Sequence, residues 1–389
     1  MFFIRQRTVI NIISKLPNTK TTIFTEMSAL AREYNAINLS QGFPDFDCDP
    51  ELVKLISKKM EAGHNQYAPM AGVPELNRII SNKIASAHQS VYDPETEITI
   101  TAGGTQAIFT AIASIIRQND EVIIFEPAYD SYAPTVKAFG GLVKPYEMAP
   151  PHFEINWDVV KKLISVNTKM IIINSPHNPT GRILNDTDIK ELINITKNTD
   201  ILILSDEVYE HLIYDENEHK SLCKYPELKE RTFITASFGK LFHATGWKVG
   251  YCCAPELLMK EFRKIHQFQV FSVNAPMQYA FAEYLSKNDI FSELPKFFQE
   301  KRDYFRKLMS ETKFTLLPCD GSYFQNVTYE NITNLKDIDF AIKLVKENQV
   351  ASIPNSAFYS KTTDYRSLRF CFAKKQETLE KAVERLIKL

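Results

Sequence analysis

The sequence predicts an α/β fold with a mostly parallel sheet, and three observations lead there. Apolar runs of strand length recur through the middle of the chain, helical spacings lie between several of them, and chemically useful residues follow the ends of several runs. The expected strands are 97–101, 122–125, 170–173, 201–204, 232–236 and 249–254, each bounded by turn-forming or polar residues. Between the first two, residues 105–117 carry Ile108, Ile112, Ile115 and Ile116 at helical spacing. After about Pro276 the texture changes. A charged amphipathic stretch at 294–312 precedes short strands at 314–317 and 323–327, then helices at 336–348 and 375–389. These describe a smaller α+β domain. The expected division is an N-terminal arm that joins the small domain (1–45), a large domain (46–285) and a small C-terminal domain (286–389).

Bulk properties narrow the function. A chain of 389 residues exceeds one average domain and can bury a large core. Its 46 basic and 47 acidic residues create no field favouring nucleic acid or an anionic membrane. Arg5 and Arg7 interrupt the apolar start, and no run has signal-peptide or membrane-spanning length, so a cytoplasmic protein is expected. The six cysteines form no C-x-x-C pair, the eight histidines no H-E-x-x-H, and there is no G-x-S-x-G elbow. No metal site is read from the sequence.

The segment Ser237-Phe238-Gly239-Lys240, followed by Thr245-Gly246-Trp247-Lys248, sets two lysines near a hydroxyl. It is not a P-loop, because Ile234 and Leu241 stand where that motif needs glycine and Ser or Thr. A lysine beside other cations loses its proton more easily, and its neutral amine can attack a carbonyl. Covalent capture and charge together suit a phosphorylated aldehyde, a description that fits pyridoxal phosphate; an ordinary surface loop is the alternative. Gly103-Gly104-Thr105, between strand and helix, offers free N–H groups to a phosphate, although an isolated Gly-Gly is more often a tight turn. Asp206 follows a strand and can hold a proton on a ring nitrogen, with the Tyr209 phenol one helical turn on; the plainer use is an N-cap beside a core tyrosine. In the loop Asn174-Ser175-Pro176-His177-Asn178-Pro179-Thr180-Gly181-Arg182, Asn178 is restricted enough to aim its amide at a ligand. Arg369, in a strand-like run, could clamp a carboxylate by two hydrogen bonds or close a structural ion pair.

Taken in order, Asn178-Pro179-Thr180-Gly181, Asp206-Glu207-Val208-Tyr209, Ser237-Phe238-Gly239-Lys240 and Arg369 resemble the class I aminotransferases, pyridoxal-phosphate enzymes of fold type I. The likeness runs from Leu39-Ser40-Gln41-Gly42 to Arg369-Phe370-Cys371-Phe372-Ala373. Residues 23–30, 127–132 and 247–252 carry a narrower similarity to the branch of the bacterial methionine aminotransferases, kynurenine aminotransferases and glutamine transaminase K. The resemblance implies that Lys240 bonds the cofactor aldehyde and moves protons, Asp206 pairs with the pyridine nitrogen, and Tyr209 and Asn178 donate to the ring's phenolic oxygen. It implies that Tyr129 stacks on the ring, and that Gly103, Gly104, Thr105, Ser237 and Lys248 hold the phosphate, with Tyr67 reaching it from the other subunit of a homodimer. Lys248 departs from the arginine of the aspartate branch and brings a point charge without the bidentate fork. Arg369, Asn178 and the Gly42 backbone are implied at the substrate's α-carboxylate. Phe24, Tyr67, Tyr129 and Phe271 are implied around its side chain. No second arginine sits at a position matching dicarboxylate specificity. The implied reaction passes the amino group of a neutral amino acid (methionine first, then aromatic amino acids, glutamine or kynurenine) to a 2-oxo acid by ping-pong kinetics. A carbon–sulfur β-lyase is the rival on the same fold. A DNA-binding regulator is disfavoured, because the roughly forty residues before Gln41 are fewer than an ordinary extra domain needs.

Overall fold

Seven strands form the larger sheet, in the spatial order Ile98–Thr101, Gly250–Cys253, Thr232–Ser237, Leu202–Asp206, Thr168–Asn174, Glu121–Glu126 and Leu142–Glu147. All run parallel except Gly250–Cys253, which is antiparallel to both neighbours. This computed structural model describes residues 12–361 and 363–389, so residues 1–11 of the expected N-terminal arm lie outside the described residues.

The central strands are buried on both faces, which is why they read as unbroken apolar runs. Alternate side chains point to opposite faces. Met170 and Ile172 join Ile108, Ile112 and Phe262 from the helices Gly104–Ile115 and Glu256–Gln269. Ile171 and Ile173 face the other way and share a core with Trp157, Ile189 and Leu192. Five of the six expected large-sheet strands and the helix after the first shift by only a residue or two; the sixth, 249–254, narrows to Gly250–Cys253. The strand Leu142–Glu147 was not expected. It is a half-exposed edge carrying Lys144 and Pro145, so it lacks an apolar run.

A second sheet is antiparallel, ordered Ile353–Pro354, Ser367–Cys371, Phe324–Thr328, Thr315–Leu316, with the helices Ile290–Met309, Asp337–Asn348 and Gln376–Leu386 around it. Ile37–Asn38 pairs in parallel with Val350–Ala351, tying the N-terminal segment to this part of the chain. Among the described residues no helix is long and apolar enough to cross a membrane.

Because six strands of the large sheet share one direction, their carboxyl ends share one edge, where open α/β sheets bind ligands. Asn174, Asp206 and Ser237 are the last residues of their strands. Leu204 lies at the centre of this sheet with no exposed surface. Leu204→Ala should therefore cost about 2–5 kcal/mol, read as a lower urea midpoint with the fold retained.

Candidate active site

A cavity of about 350 Å³ opens at that edge, within the usual size for a small-molecule site. Its walls include Phe24, Gly42, Gly104, Thr105, Tyr129, Asn178, Asp206, Tyr209, Ser237, Lys240, Lys248 and Arg369. The structure thus brings together in one chain nearly all the residues singled out in the sequence.

The Gly104–Ile115 helix starts at the cavity, with Gly103 as its N-cap at φ +83°. A Cβ at Gly103 would lie 3.3 Å from the Lys248 amine, and one at Gly104 would lie 2.9 Å from Val208 Cγ1. Only glycine lets the helix N-terminus, with its unpaired N–H groups, come this close to a lysine. The Thr105 hydroxyl lies 3.3 Å from that of Tyr129. Together these make an anion cradle that suits a phosphate.

Asp206 is buried and accepts a 2.5 Å hydrogen bond from the Tyr132 hydroxyl. Burial raises its pKa to about 6, against the lowering effects of that bond, the Val208 N–H and Lys240. A buried carboxylate so placed welcomes a protonated nitrogen. Tyr209 follows in a turn, not in the helix expected, and its ring meets that of Tyr323 edge-on at 5.1 Å. Burial raises its phenol's pKa, so it stays a proton donor.

Lys240 points its amine at the Tyr323 hydroxyl, 2.5 Å away, and at the Gly42 carbonyl, 3.2 Å away. Its pKa falls to about 8, chiefly because burial disfavours the charge; Arg369 and Lys248 add to the fall. The sequence suggested neighbouring cations as the cause. Desolvation is the larger one, although the side chain keeps some surface toward the cavity.

Arg369 lies in the middle of the Ser367–Cys371 strand with 0% exposure. One Nη donates to Asn178 Oδ1 at 2.7 Å, the other to the Ser40 carbonyl at 3.1 Å, and Nε has no partner among the described residues. The guanidinium stacks over the Phe324 ring at 3.9 Å. Burial lowers its pKa to about 10, so it remains a cation, and its hydrogen-bond partners among the described residues are neutral oxygens. The structural ion pair left open by the sequence is not what holds it. Asn178 is fixed in turn, its N–H donating to Asn174 Oδ1 at 2.7 Å.

Two expected residues stay apart from the cavity within one chain. Tyr67 is 82% exposed and Phe271 46% exposed; they stack edge-on at 5.3 Å on an outer surface. Phe271 therefore does not line the side-chain pocket of its own chain. Tyr132, Tyr323 and Phe324 were missed as site residues. Tyr132 lay within the quoted 127–132 segment and Tyr323 within an expected strand, but no spacing reveals that their hydroxyls reach Asp206 and Lys240.

The model of the family described as aminotransferase class I and II matches residues 34–386. Methionine aminotransferase of Escherichia coli K12 is 44% identical over 377 residues, covering 97% of this chain and 98% of the relative. Kynurenine–oxoglutarate transaminase of Dictyostelium discoideum is 32% identical, covering 95% and 94%. A crystal structure of an E. coli protein described as having a methionine aminotransferase function superposes with a TM-score of 0.96 at 43% identity, covering 98% of this chain and all of that one.

In cofactor-free protein, acylation of Lys240 by acetic anhydride, read by mass spectrometry, should rise with a midpoint near pH 8, because only the neutral amine reacts. A midpoint near that of ordinary lysines would contradict the burial described.

Proposed function

The chain belongs to the class I and II aminotransferases, and on that premise we propose that it binds pyridoxal phosphate and passes the amino group of a neutral amino acid, methionine above others, to a 2-oxo acid. The observation that carries this reading is the buried Arg369 cation, paired with no carboxylate among the described residues, in the same cavity as the Lys240 amine.

The residues fit the cofactor. Lys240 would bond its aldehyde carbon, Asp206 its ring nitrogen, and Tyr209 and Asn178 its phenolic oxygen. Tyr129 would cover the ring, and Gly103, Gly104, Thr105, Ser237 and Lys248 would hold the phosphate. When bound, the cofactor supplies an electron sink for the electrons left at the substrate Cα. Arg369 and Asn178 hold the substrate's α-carboxylate, with the Gly42 backbone alongside. This fixes the Cα hydrogen toward Lys240, whose amine, with a pKa about 8, accepts the proton and can return it. Asp206, kept ionised by a cationic partner, holds the ring proton in place. Tyr132 and Tyr323 orient Asp206 and Lys240 through the bonds described.

Phe24, Tyr129 and Phe324 supply apolar wall, and Arg369 is the one arginine lining the cavity among the described residues. This supports neutral side chains, with aromatic amino acids, glutamine and kynurenine beside methionine. Tyr67 and Phe271, exposed together, fit a homodimer in which a second copy of the chain completes the phosphate site and the side-chain pocket. Six free cysteines, five of them buried, suit a reducing compartment such as the cytoplasm. The domain division proposed is 1–45, 46–285 and 286–389.

Steady-state assays with methionine and a neutral 2-oxo acid should give parallel double-reciprocal lines. Lys240→Ala should lose the absorbance of the lysine-bound cofactor and lower turnover by about 10³-fold or more. Aspartate turned over far faster than methionine would overturn the substrate assignment.

A further inference from the structure

Lys83 and Glu210 form an ion pair with side chains only 7% and 11% exposed, and nothing in the chemistry above uses it. Lys83 comes from the helix Pro74–His88, and Glu210 directly follows Tyr209 in the turn that leaves the Leu202–Asp206 strand. Glu210 Oε2 accepts from the Lys83 amine, and Oε1 accepts from the Tyr251 hydroxyl at 2.9 Å. That hydroxyl also lies 3.1 Å from the Lys83 amine, so the three polar ends close a ring. Burial would raise the Glu210 pKa, but chiefly the Lys83 charge outweighs it and holds the carboxyl far below its usual range.

The turn has two sides. Asp206, Val208 and Tyr209 line the ligand cavity, whereas Glu207 pairs with His219 at 2.8 Å and Glu210 with Lys83. Val208, Ser237 and Lys240 form a thin partition. They line the cavity and also a crevice of about 20 Å³ shared with Lys83, Glu210 and Tyr251. The ion pair thus stands directly behind the wall that carries Tyr209 and Lys240. Tyr251 extends the link, because its ring packs at 5.4 Å against Phe238, two residues before Lys240. Backbone bonds from Glu210 N–H to the Glu207 carbonyl and from Leu212 N–H to the Tyr209 carbonyl shape the turn itself. The ion pair ties it to the helix Pro74–His88.

Stability does not account for the pair. Taking two charges out of water costs about as much as their attraction returns, and apolar replacements of such pairs are often neutral or stabilising. What a directional pair supplies is position. We propose that Lys83 and Glu210 are positioning residues that set the Tyr209 hydroxyl, and with it the cofactor ring, against Lys240. They touch neither cofactor nor substrate and act through the turn. This inference rests on the cofactor reading above and assigns the support behind it.

Removing either charge alone strands the other in the interior and costs stability, so the test removes both. Lys83→Met with Glu210→Gln deletes both charges and keeps an acceptor for the Tyr251 hydroxyl. Its urea midpoint should match or exceed that of the wild type. In the holoenzyme, kcat/KM for methionine should nevertheless fall about 10- to 100-fold, the scale of a small misplacement of reacting groups. The pyridoxal phosphate dissociation constant, read by the cofactor absorbance, should rise about tenfold, the worth of one hydrogen bond to a charged group. In a Tyr209→Phe background the same two changes should alter both constants by less than about twofold, because the group they position is gone. Unchanged constants in the first variant would overturn the proposal. So would equal losses in both backgrounds, the mark of a general loosening of the fold. If the wild type bound pyridoxal phosphate without turning over methionine, the substrate assignment would fail, and the dissociation constants would still decide the role of the pair. A wild type that bound no pyridoxal phosphate would overturn both.

Discussion

The hydrogen bond from Arg369 to Asn178 joins three parts of the molecule at the cavity, reinforced nearby by Asn326 Nδ2 donating to the Pro179 carbonyl and Cys371 N–H donating to the Leu39 carbonyl. Arg369 belongs to the antiparallel sheet, Asn178 to the loop leaving the large parallel sheet, and Ser40, which accepts the second guanidinium bond, to the N-terminal segment. The cavity exists where these three converge. Each partner is a neutral oxygen, so the contact fixes the cation without neutralising it. A carboxylate in place of Asn178 would hold the arginine more strongly and also consume the charge that a ligand needs.

The same logic governs the other ionisable groups. Burial moves Lys240, Asp206 and Arg369 toward their uncharged forms, to about 8, 6 and 10. In each case the chain offers hydrogen bonds of good geometry and withholds a full counter-charge. A site built this way gives up some stability of the empty fold and gains affinity when groups of opposite charge arrive. Tyr132 and Tyr323 are the means of holding charged groups in place by neutral donors and acceptors.

Much of this was legible in the sequence because strand interiors and strand ends carry different signals. Buried parallel strands such as Thr168–Asn174 are continuous apolar runs, and the polar residue that ends each one, Asn174, Asp206 or Ser237, stands out against them. What escaped depended on distance in space. The edge strand Leu142–Glu147 pairs on one side only and needs no apolar run. Tyr323 reaches Lys240 across 83 residues of chain, and Tyr132 reaches Asp206 across 74. Tyr67 and Phe271 came from family resemblance alone, and one chain does not bring them to the cavity.

The single antiparallel strand has a consequence for how the chain is routed. Thr232–Ser237 leaves the sheet at the ligand edge, and Gly250–Cys253 re-enters at that same edge, with Ser237 opposite Gly250 and Thr101 opposite Gly250 on the other side. A parallel strand there would force the connection across the whole sheet, returning it at the far edge. Reversal lets one short excursion deliver Lys240 on the way out and Lys248 on the way back, the latter against Gly103. Lys240 stands three residues past Ser237 and Lys248 two before Gly250, so each is anchored to its own strand end, and the paired ends hold the two lysines on one edge.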